Sequence, residues 1–219
     1  MFALFDLDDT LHDKTASLKV CADVIYTEFL FDLAVNRDEF TASFLSENCI
    51  IQPKAQVFDI LAQGYSLDIS LKTAMFHFFD TQFHTFSKRF DHVIETMDFL
   101  KSENVRLACV TNGRDFFQRN KIEALGLANY FDVIVTSGEL GVKKPNPLIF
   151  NTALEQLGAQ AKECIFIGDS LTADMLPAKQ LGMKTVWVNR VNPIRSKPDY
   201  VDAKLESYSQ FVDIWQQLA

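Results

Sequence analysis

Residues 2–13 read FALFDLDDTLHD and place four carboxylates directly after an apolar run. The run FALFDL, at 2–7, favours a buried strand, because strands of a parallel sheet that is covered on both faces are almost continuously hydrophobic. Asp6 and Asp8 stand where that strand should end. In open α/β sheets, ligands bind beyond the carboxyl ends of the strands. This stretch therefore predicts both a fold class and the place of a site.

Four more short apolar or β-branched runs follow, at 105–110, 132–137, 164–168 and 184–189. Between them lie helix-like segments, such as 116–127, which ends near a glycine, and 147–158, which begins at a proline and ends at a glycine. The alternation predicts an α/β fold with a doubly wound parallel sheet, similar to the Rossmann fold. The stretch 200–219 predicts a last short strand and an amphipathic helix that closes the core.

Nearly a hundred residues separate the first two predicted strands, far more than a crossover needs. Four helical patterns fill most of this gap, at 16–35, 37–47, 55–64 and 69–83. We therefore predict a discontinuous core, made of residues 1–14 and 89–219, and an inserted helical cap domain over residues 15–88. The segment 90–103 is expected to return to the core as the helix before the second strand.

Phenylalanine is concentrated in the insertion, since eleven of the 20 phenylalanines lie between positions 29 and 90. Phe76, Phe79, Phe83 and Phe86 recur at helical spacing, which favours the interpretation that they form the hydrophobic core of the cap. A second interpretation, aromatic side chains that stack on a nucleobase or a sugar, stays open.

Composition narrows the class of partner. The 219 residues carry a formal net charge of −8 without a basic cluster, which argues against nucleic acid. No apolar run is long enough to span a membrane and the start lacks the basic residues of a signal peptide, so we expect a cytoplasmic protein, either a monomer or a homodimer. The four cysteines are widely spaced and are expected to be free thiols.

Polar residues end three of the predicted strands: Asp6 and Asp8 the first, Thr111 and Asn112 the second, and Asp169 the fourth. Carboxylates at adjacent strand ends repel one another unless a cation lies between them. Because the nearby ligands are oxygens, Mg²⁺ is favoured over zinc or copper. The four histidines, at positions 12, 77, 84 and 92, are expected to be packed side chains and not metal ligands.

Four segments together resemble a known family: FDLDDTL (5–11), VTNG (110–113), GVKKPNPLIF (141–150) and IGDSLTAD (167–174). In order and spacing they are similar to the four motifs of the haloacid dehalogenase-like hydrolase superfamily, whose members are mostly phosphatases. The resemblance covers the predicted core. A helical insertion between the first and second motifs is similar to the C1 cap of subfamily I, which closes over small substrates.

The resemblance implies a role for each motif residue. Asp6 would be the nucleophile that forms an aspartyl-phosphate, and Asp8 the general acid and then the general base. Thr111, with the backbone amides of Asn112 and Gly113, would hold the phosphoryl oxygens.

The other two motifs would supply a cation and a metal site. Lys144 would neutralise the charge on the phosphoryl group, with its neighbour Lys143 as the alternative. Mg²⁺ would be bound by Asp6, the Asp8 carbonyl and Asp169, while Asp174 would orient a metal-bound water or the lysine.

The substrate is less constrained than the reaction. An acid at position 8 argues for phosphate chemistry and against dehalogenation, and FDLDDTL resembles the nucleotidase and acylneuraminate-phosphatase branches. A nucleoside 5′-monophosphate is thus the first substrate hypothesis, and a sugar phosphate, an acylneuraminate phosphate or an abnormal phosphorylated metabolite are alternatives. Two other functional classes are alternatives: a phospho-acceptor receiver domain, which the first-strand nucleophile and the insertion disfavour, and a binding protein that has lost catalysis.

Overall fold

A computed structural model describes residues 1–50, 52–190 and 196–219. The chain forms two compact units. The core unit consists of Met1–Asp13 and Arg89–Ala219, and the helical unit consists of Lys14–Lys88. No helix within the described residues is both long and apolar enough to cross a membrane.

A parallel sheet is the centre of the core unit. Its strands within the described ranges are β1 (Phe2–Phe5), β2 (Arg106–Thr111), β3 (Val133–Thr136), β4 (Cys164–Gly168), β5 (Lys184–Val188) and β6 (Ala203–Leu205). They are arranged in the order β3-β2-β1-β4-β5-β6. This order reverses between β1 and β4, as in a doubly wound Rossmann-like sheet, so the predicted fold class is confirmed.

Helices connect these strands. In the core unit they are α5 (Val93–Ser102), α6 (Asp115–Ala124), α7 (Ser137–Leu140), α8 (Pro147–Leu157), α9 (Leu176–Gln180) and α10 (Phe211–Leu218). Local sequence explains several of their ends. Asn146 caps α8 before its first-turn proline, and Gly158 ends it at a φ of 65°, a conformation that glycine adopts without strain.

Both faces of the sheet are buried. Ala3, Phe5 and Leu107 point into one hydrophobic cluster, while Leu4 and Ala108 point into the other. Because successive residues of a strand face opposite sides, a strand that is buried on both sides must be apolar throughout. This requirement explains the uninterrupted runs in the sequence.

Over residues 14–50 and 52–88, the helical unit has four main helices, α1 (Lys14–Ile25), α2 (Arg37–Cys49), α3 (Lys54–Gly64) and α4 (Ile69–Gln82). Its core is aromatic. The ring of Phe79 lies 4.9 Å from that of Phe83, 5.5 Å from that of Phe58 and 6.0 Å from that of Phe44. These four side chains are almost completely buried, so phenylalanines of the helical pattern do pack as the core of this unit.

The chain leaves the core unit and returns to it at neighbouring positions. The backbone N–H of Phe90 donates to the carbonyl of Leu11 at 3.1 Å, and His12 and Arg89 form an antiparallel bridge. The two ends of the insertion are thus held side by side by backbone hydrogen bonds. All four cysteines are free thiols, as expected.

Candidate active site

A tight turn follows β1 and carries the first two candidate residues. The carbonyl of Leu7 accepts hydrogen bonds from the N–H groups of Leu11 and His12, both at 2.9 Å. Asp9 takes a φ of 59° within this turn, a left-handed conformation that aspartate tolerates better than most residues. The turn therefore ends the strand at Phe5, two residues earlier than predicted, and directs the carboxylates of Asp6 and Asp8 to different partners.

Asp6 pairs with a buried lysine. Lys144 Nζ donates to Asp6 Oδ1 at 2.6 Å and lies 2.7 Å from Asp174 Oδ1. Burial raises the pKa of Asp6 to about 6, and the charge of Asp174 adds to this while Lys144 opposes it. Burial by itself would lower the pKa of Lys144. The charges of two carboxylates, with Asp174 having the larger effect and Asp6 the smaller, raise the pKa instead. Lys144 therefore stays a cation between two acids.

Asn112 fixes the backbone of this lysine. Its Oδ1 accepts from the Lys144 N–H at 2.8 Å, and its Nδ2 donates to the Lys144 carbonyl at 3.1 Å. Lys144 is buried while Lys143 is exposed, so of the two lysines it is Lys144 that reaches the acids. The side chain of Asn112 thus links the loop after β2 to the loop before α8.

Three carboxylates meet beyond the ends of β1 and β4. Asp6, Asp169 and Asp174 each offer one oxygen within 4.8 Å of the other two. Asp174 is held by the Ser170 N–H, which donates to its Oδ2 at 3.0 Å. It lies against Gly168, where an added Cβ would stand 2.6 Å from that oxygen. A glycine at the end of β4 thus makes room for the acid.

This cluster fits a divalent cation such as Mg²⁺. Burial first, and then the charges of Asp6 and Asp174, raise the pKa of Asp169 to about 8. Asp174 Oδ1 is buried, and its charged partner is Lys144 Nζ at 2.7 Å. Crowded carboxylate oxygens are the hard ligands that Mg²⁺ prefers. The Asp8 side chain is directed elsewhere, so Asp8 would contribute its backbone carbonyl alone, as the resemblance implies.

The Asp8 carboxylate lies in a second polar cluster. Lys121 Nζ donates to its Oδ1 and Oδ2 at 2.5 and 2.7 Å, and His12 Nδ1 lies 2.6 Å from Oδ1. Burial by itself would raise the pKa of Asp8, but the charge of Lys121 and the hydrogen bond to His12 hold it well below its usual range. Asp8 is therefore a carboxylate in this arrangement.

Sequence reasoning missed this second cluster. His12 was expected to be a packed side chain, and it is fully buried, but it also contacts Asp8. For Gln118 and Lys121, the sequence pattern predicts only that they lie in a helix. The sequence shows only that Gln118 and Lys121 stand three residues apart and so share one helical face, and it is the structure that shows both to be buried. The other histidines, at positions 77, 84 and 92, lie outside both clusters.

The loop after β2 carries the predicted phosphate-binding residues. Thr111 Oγ1 accepts a hydrogen bond from Gln118 Nε2 at 2.6 Å. The Gly113 N–H donates to Ser137 Oγ at 2.9 Å, so a phosphoryl oxygen would have to replace or share that partner. Gly138 packs directly on this loop, with its N–H donating to the Gly113 carbonyl at 2.8 Å.

Comparison with known proteins agrees with this geometry. The family model described as "haloacid dehalogenase-like hydrolase" matches residues 3–188. A glyceraldehyde 3-phosphate phosphatase from Methanopyrus kandleri is 32% identical over an alignment of 235 positions, which covers 99% of this chain and 97% of that protein. A pyrimidine 5′-nucleotidase from Escherichia coli is 34% identical over 113 residues, which cover 50% of each chain.

A solved structure has the same fold. The HAD-hydrolase YfnB from Bacillus subtilis, described as putative and bound to magnesium, superposes with a TM-score of 0.76 at 21% identity, over 98% of each chain. The family match extends from β1 to β5 and includes every motif residue named above. On these grounds the chain belongs to the haloacid dehalogenase-like hydrolase family.

Proposed function

We propose that this protein is a phosphatase that hydrolyses a small phosphorylated metabolite through an aspartyl-phosphate on Asp6. The observation that carries the proposal is the buried contact between Asp6 and Lys144 at the carboxyl end of β1, with Asp8 held in a separate cluster nearby. A nucleophilic carboxylate and an acid or base with different surroundings are what a two-step displacement requires.

In the first step, Asp6 attacks phosphorus and the alcohol leaves with a proton from Asp8. Because Lys121 and His12 hold Asp8 as a carboxylate, Asp8 must take up that proton before the step begins. Lys144 holds Asp6 Oδ1 at 2.6 Å, which aims the nucleophile and balances negative charge as it builds up on the phosphoryl oxygens. Thr111, with the loop of Asn112 and Gly113, is proposed to hold those oxygens. In the second step a water molecule, deprotonated by Asp8, releases phosphate from Asp6.

Mg²⁺ is the proposed cofactor, held by Asp6, Asp169 and the Asp8 carbonyl, with Asp174 supporting the site. When bound, it would screen the repulsion between the carboxylates and the incoming phosphate. The support is the oxygen donor set and the raised pKa values of Asp6 and Asp169.

Two substrate classes are supported by different observations. The relative that matches over nearly the whole chain is a glyceraldehyde 3-phosphate phosphatase, which supports a short sugar phosphate. The first motif and the match to a pyrimidine 5′-nucleotidase, which covers half of the chain, support a nucleoside 5′-monophosphate. The helical unit, inserted between β1 and α5, is proposed to act as the cap that selects between such substrates.

The test is phosphate release from a panel of triose and hexose phosphates, nucleoside monophosphates and an aryl phosphate. Each is assayed with Mg²⁺ and with EDTA, for the wild type and for Asp6→Asn. Metal-dependent release that is lost in the variant is expected, and relative kcat/KM values identify the substrate class. Release that persists in Asp6→Asn would contradict the nucleophile assignment.

A further inference from the structure

We propose that Lys121 is a positioning residue for Asp8, holding its carboxylate in the orientation that accepts a proton from water when the aspartyl-phosphate is hydrolysed. This inference rests on the proposed function of Asp6 and Asp8. Lys121 lies on α6, outside the four motifs. What brings it to the site is its place on the helical face that is turned towards the end of β1.

The contact is well suited to fix orientation. A carboxylate on a single Cβ rotates easily about its last torsion angle. Lys121 Nζ bridges both oxygens, at 2.5 Å from Oδ1 and 2.7 Å from Oδ2. Gln118 Nε2 approaches Oδ2 at 3.4 Å and also donates to Thr111 Oγ1 at 2.6 Å. The plane of the Asp8 carboxylate is therefore tied to the loop proposed to bind phosphate.

Stability alone does not explain a cation at this position. The Lys121 side chain is only 3% exposed. Removing an ammonium group from water costs free energy, and this cost can exceed what the attraction to its partner returns. Replacement of a buried ion pair by apolar side chains is often neutral or stabilising. A buried lysine that bridges both oxygens of a proposed catalytic acid is therefore better explained by what it does to that acid.

The step that depends on this orientation is the second one. The oxygen of a water molecule forms a bond to phosphorus while one of its protons moves to the Asp8 carboxylate. The bond between phosphorus and Asp6 breaks, and its electron pair returns to the Asp6 carboxylate, which leaves inorganic phosphate. An acceptor that is free to rotate meets this water less often, so loss of Lys121 should slow this step.

The leaving group of an aryl phosphate needs little protonation, so the first step hardly depends on Asp8. An effect of Lys121 through Asp8 is then seen in the second step. We would measure Lys121→Met by stopped-flow release of the aryl alcohol, with acid quench and intact-mass detection of phosphorylated protein. The expected result is a burst close to one equivalent per enzyme, followed by a steady-state rate that is roughly 10- to 100-fold below wild type. This loss is no larger than the roughly 10²- to 10⁴-fold that a general base itself contributes, because Lys121 acts only through Asp8. Phosphorylated protein should accumulate.

The matched control is Lys179→Met. Lys179 Nζ also bridges both oxygens of an aspartate, Asp202, at 2.6 and 2.9 Å, but it lies outside both site clusters. This variant should behave like the wild type. Lys121→Gln, which keeps a hydrogen-bond donor, is measured in parallel, so that a fold defect in Lys121→Met does not decide the outcome.

A double-mutant cycle with Asp8→Asn completes the design, since a residue that acts through Asp8 should add nothing once Asp8 is changed. A wild type that releases no aryl alcohol contradicts the proposed function. If the wild type is active, any one of three results for folded Lys121 variants would overturn the inference about Lys121. The variants could keep the wild-type rate, or they could lose the burst and the steady-state rate equally without forming phosphorylated protein. The third result is a loss of rate that adds to the loss caused by Asp8→Asn.

Discussion

Replacing Asp6 with asparagine should stabilise the metal-free protein above neutral pH while it abolishes turnover. The pKa of Asp6 is raised from 3.8 to about 6 in the folded state. Since one pKa unit corresponds to about 1.36 kcal/mol, ionised Asp6 costs the folded state roughly 3 kcal/mol. Asparagine removes that cost, and Lys144 keeps its second partner, Asp174, at 2.7 Å, so no buried cation is left unpaired.

The pH dependence follows from the direction of the shift. Because the folded-state pKa of Asp6 lies above the unfolded value, the unfolded state loses its proton first as pH rises. The cost is therefore absent below about pH 4, grows as pH rises towards 6 and is fully present above that. Wild type and variant should differ by up to about 3 kcal/mol at pH 7.5 and converge near pH 4.

Urea denaturation of both proteins in EDTA, at several pH values, measures this difference. Adding Mg²⁺ should raise the free energy of unfolding of the wild type by about 2.7 kcal/mol at one hundred times the dissociation constant, and should stabilise the variant much less. The reasoning would be refuted if the variant were less stable than wild type at pH 7.5, or if the difference did not change with pH.

Three further predictions concern neighbouring residues. Asp8→Asn should lower kcat/KM on alkyl phosphates by roughly 10²- to 10⁴-fold and on an aryl phosphate by much less, and equal losses on both would count against proton donation. Gly138→Ala should lower both Tm and activity, because its Cβ would stand 2.6 Å from the backbone nitrogen of Asp115, where the loop after β2 enters α6. Gly64→Ala meets nothing within 4 Å and should be tolerated. Asn112→Ala should lower kcat and should change KM less than kcat, because the backbone of Lys144 loses two hydrogen bonds, at 2.8 and 3.1 Å. Steady-state kinetics and thermal denaturation check the last two, and unchanged kcat in Asn112→Ala would contradict its positioning role.

The fold could be predicted from sequence because its strands are buried on both faces and read as uninterrupted apolar runs. The run 164–168 coincides with β4, and a short strand and a helix were predicted near the C-terminus, where β6 and α10 lie. The first strand is shorter than its pattern, because the turn around Asp9 starts inside that pattern. Turn geometry of this kind depends on hydrogen bonds that hydrophobic periodicity does not encode.

The candidate site was predicted as far as its residues follow strand ends or motifs. The contact between Lys144 and Asp6 joins residues 138 positions apart, and only the ordered motifs relate them in sequence. Lys121 and Gln118 belong to no motif, and their helix reads as an ordinary amphipathic segment. A buried lysine cannot be told from an exposed one until the packing of its helix is known.

The chain leaves the core unit after Asp13 and re-enters it at Arg89, and the backbone pairing of Leu11 with Phe90 holds these positions together. Closing the ends of a long insertion costs little more than closing those of a short one, because the loss of entropy grows only with the logarithm of length. The insertion also has its own aromatic core. Evolution can therefore exchange this segment for another one as a whole. Such an exchange would give a descendant protein a different substrate specificity, while the sheet, the nucleophile and the lysines around it stay unchanged.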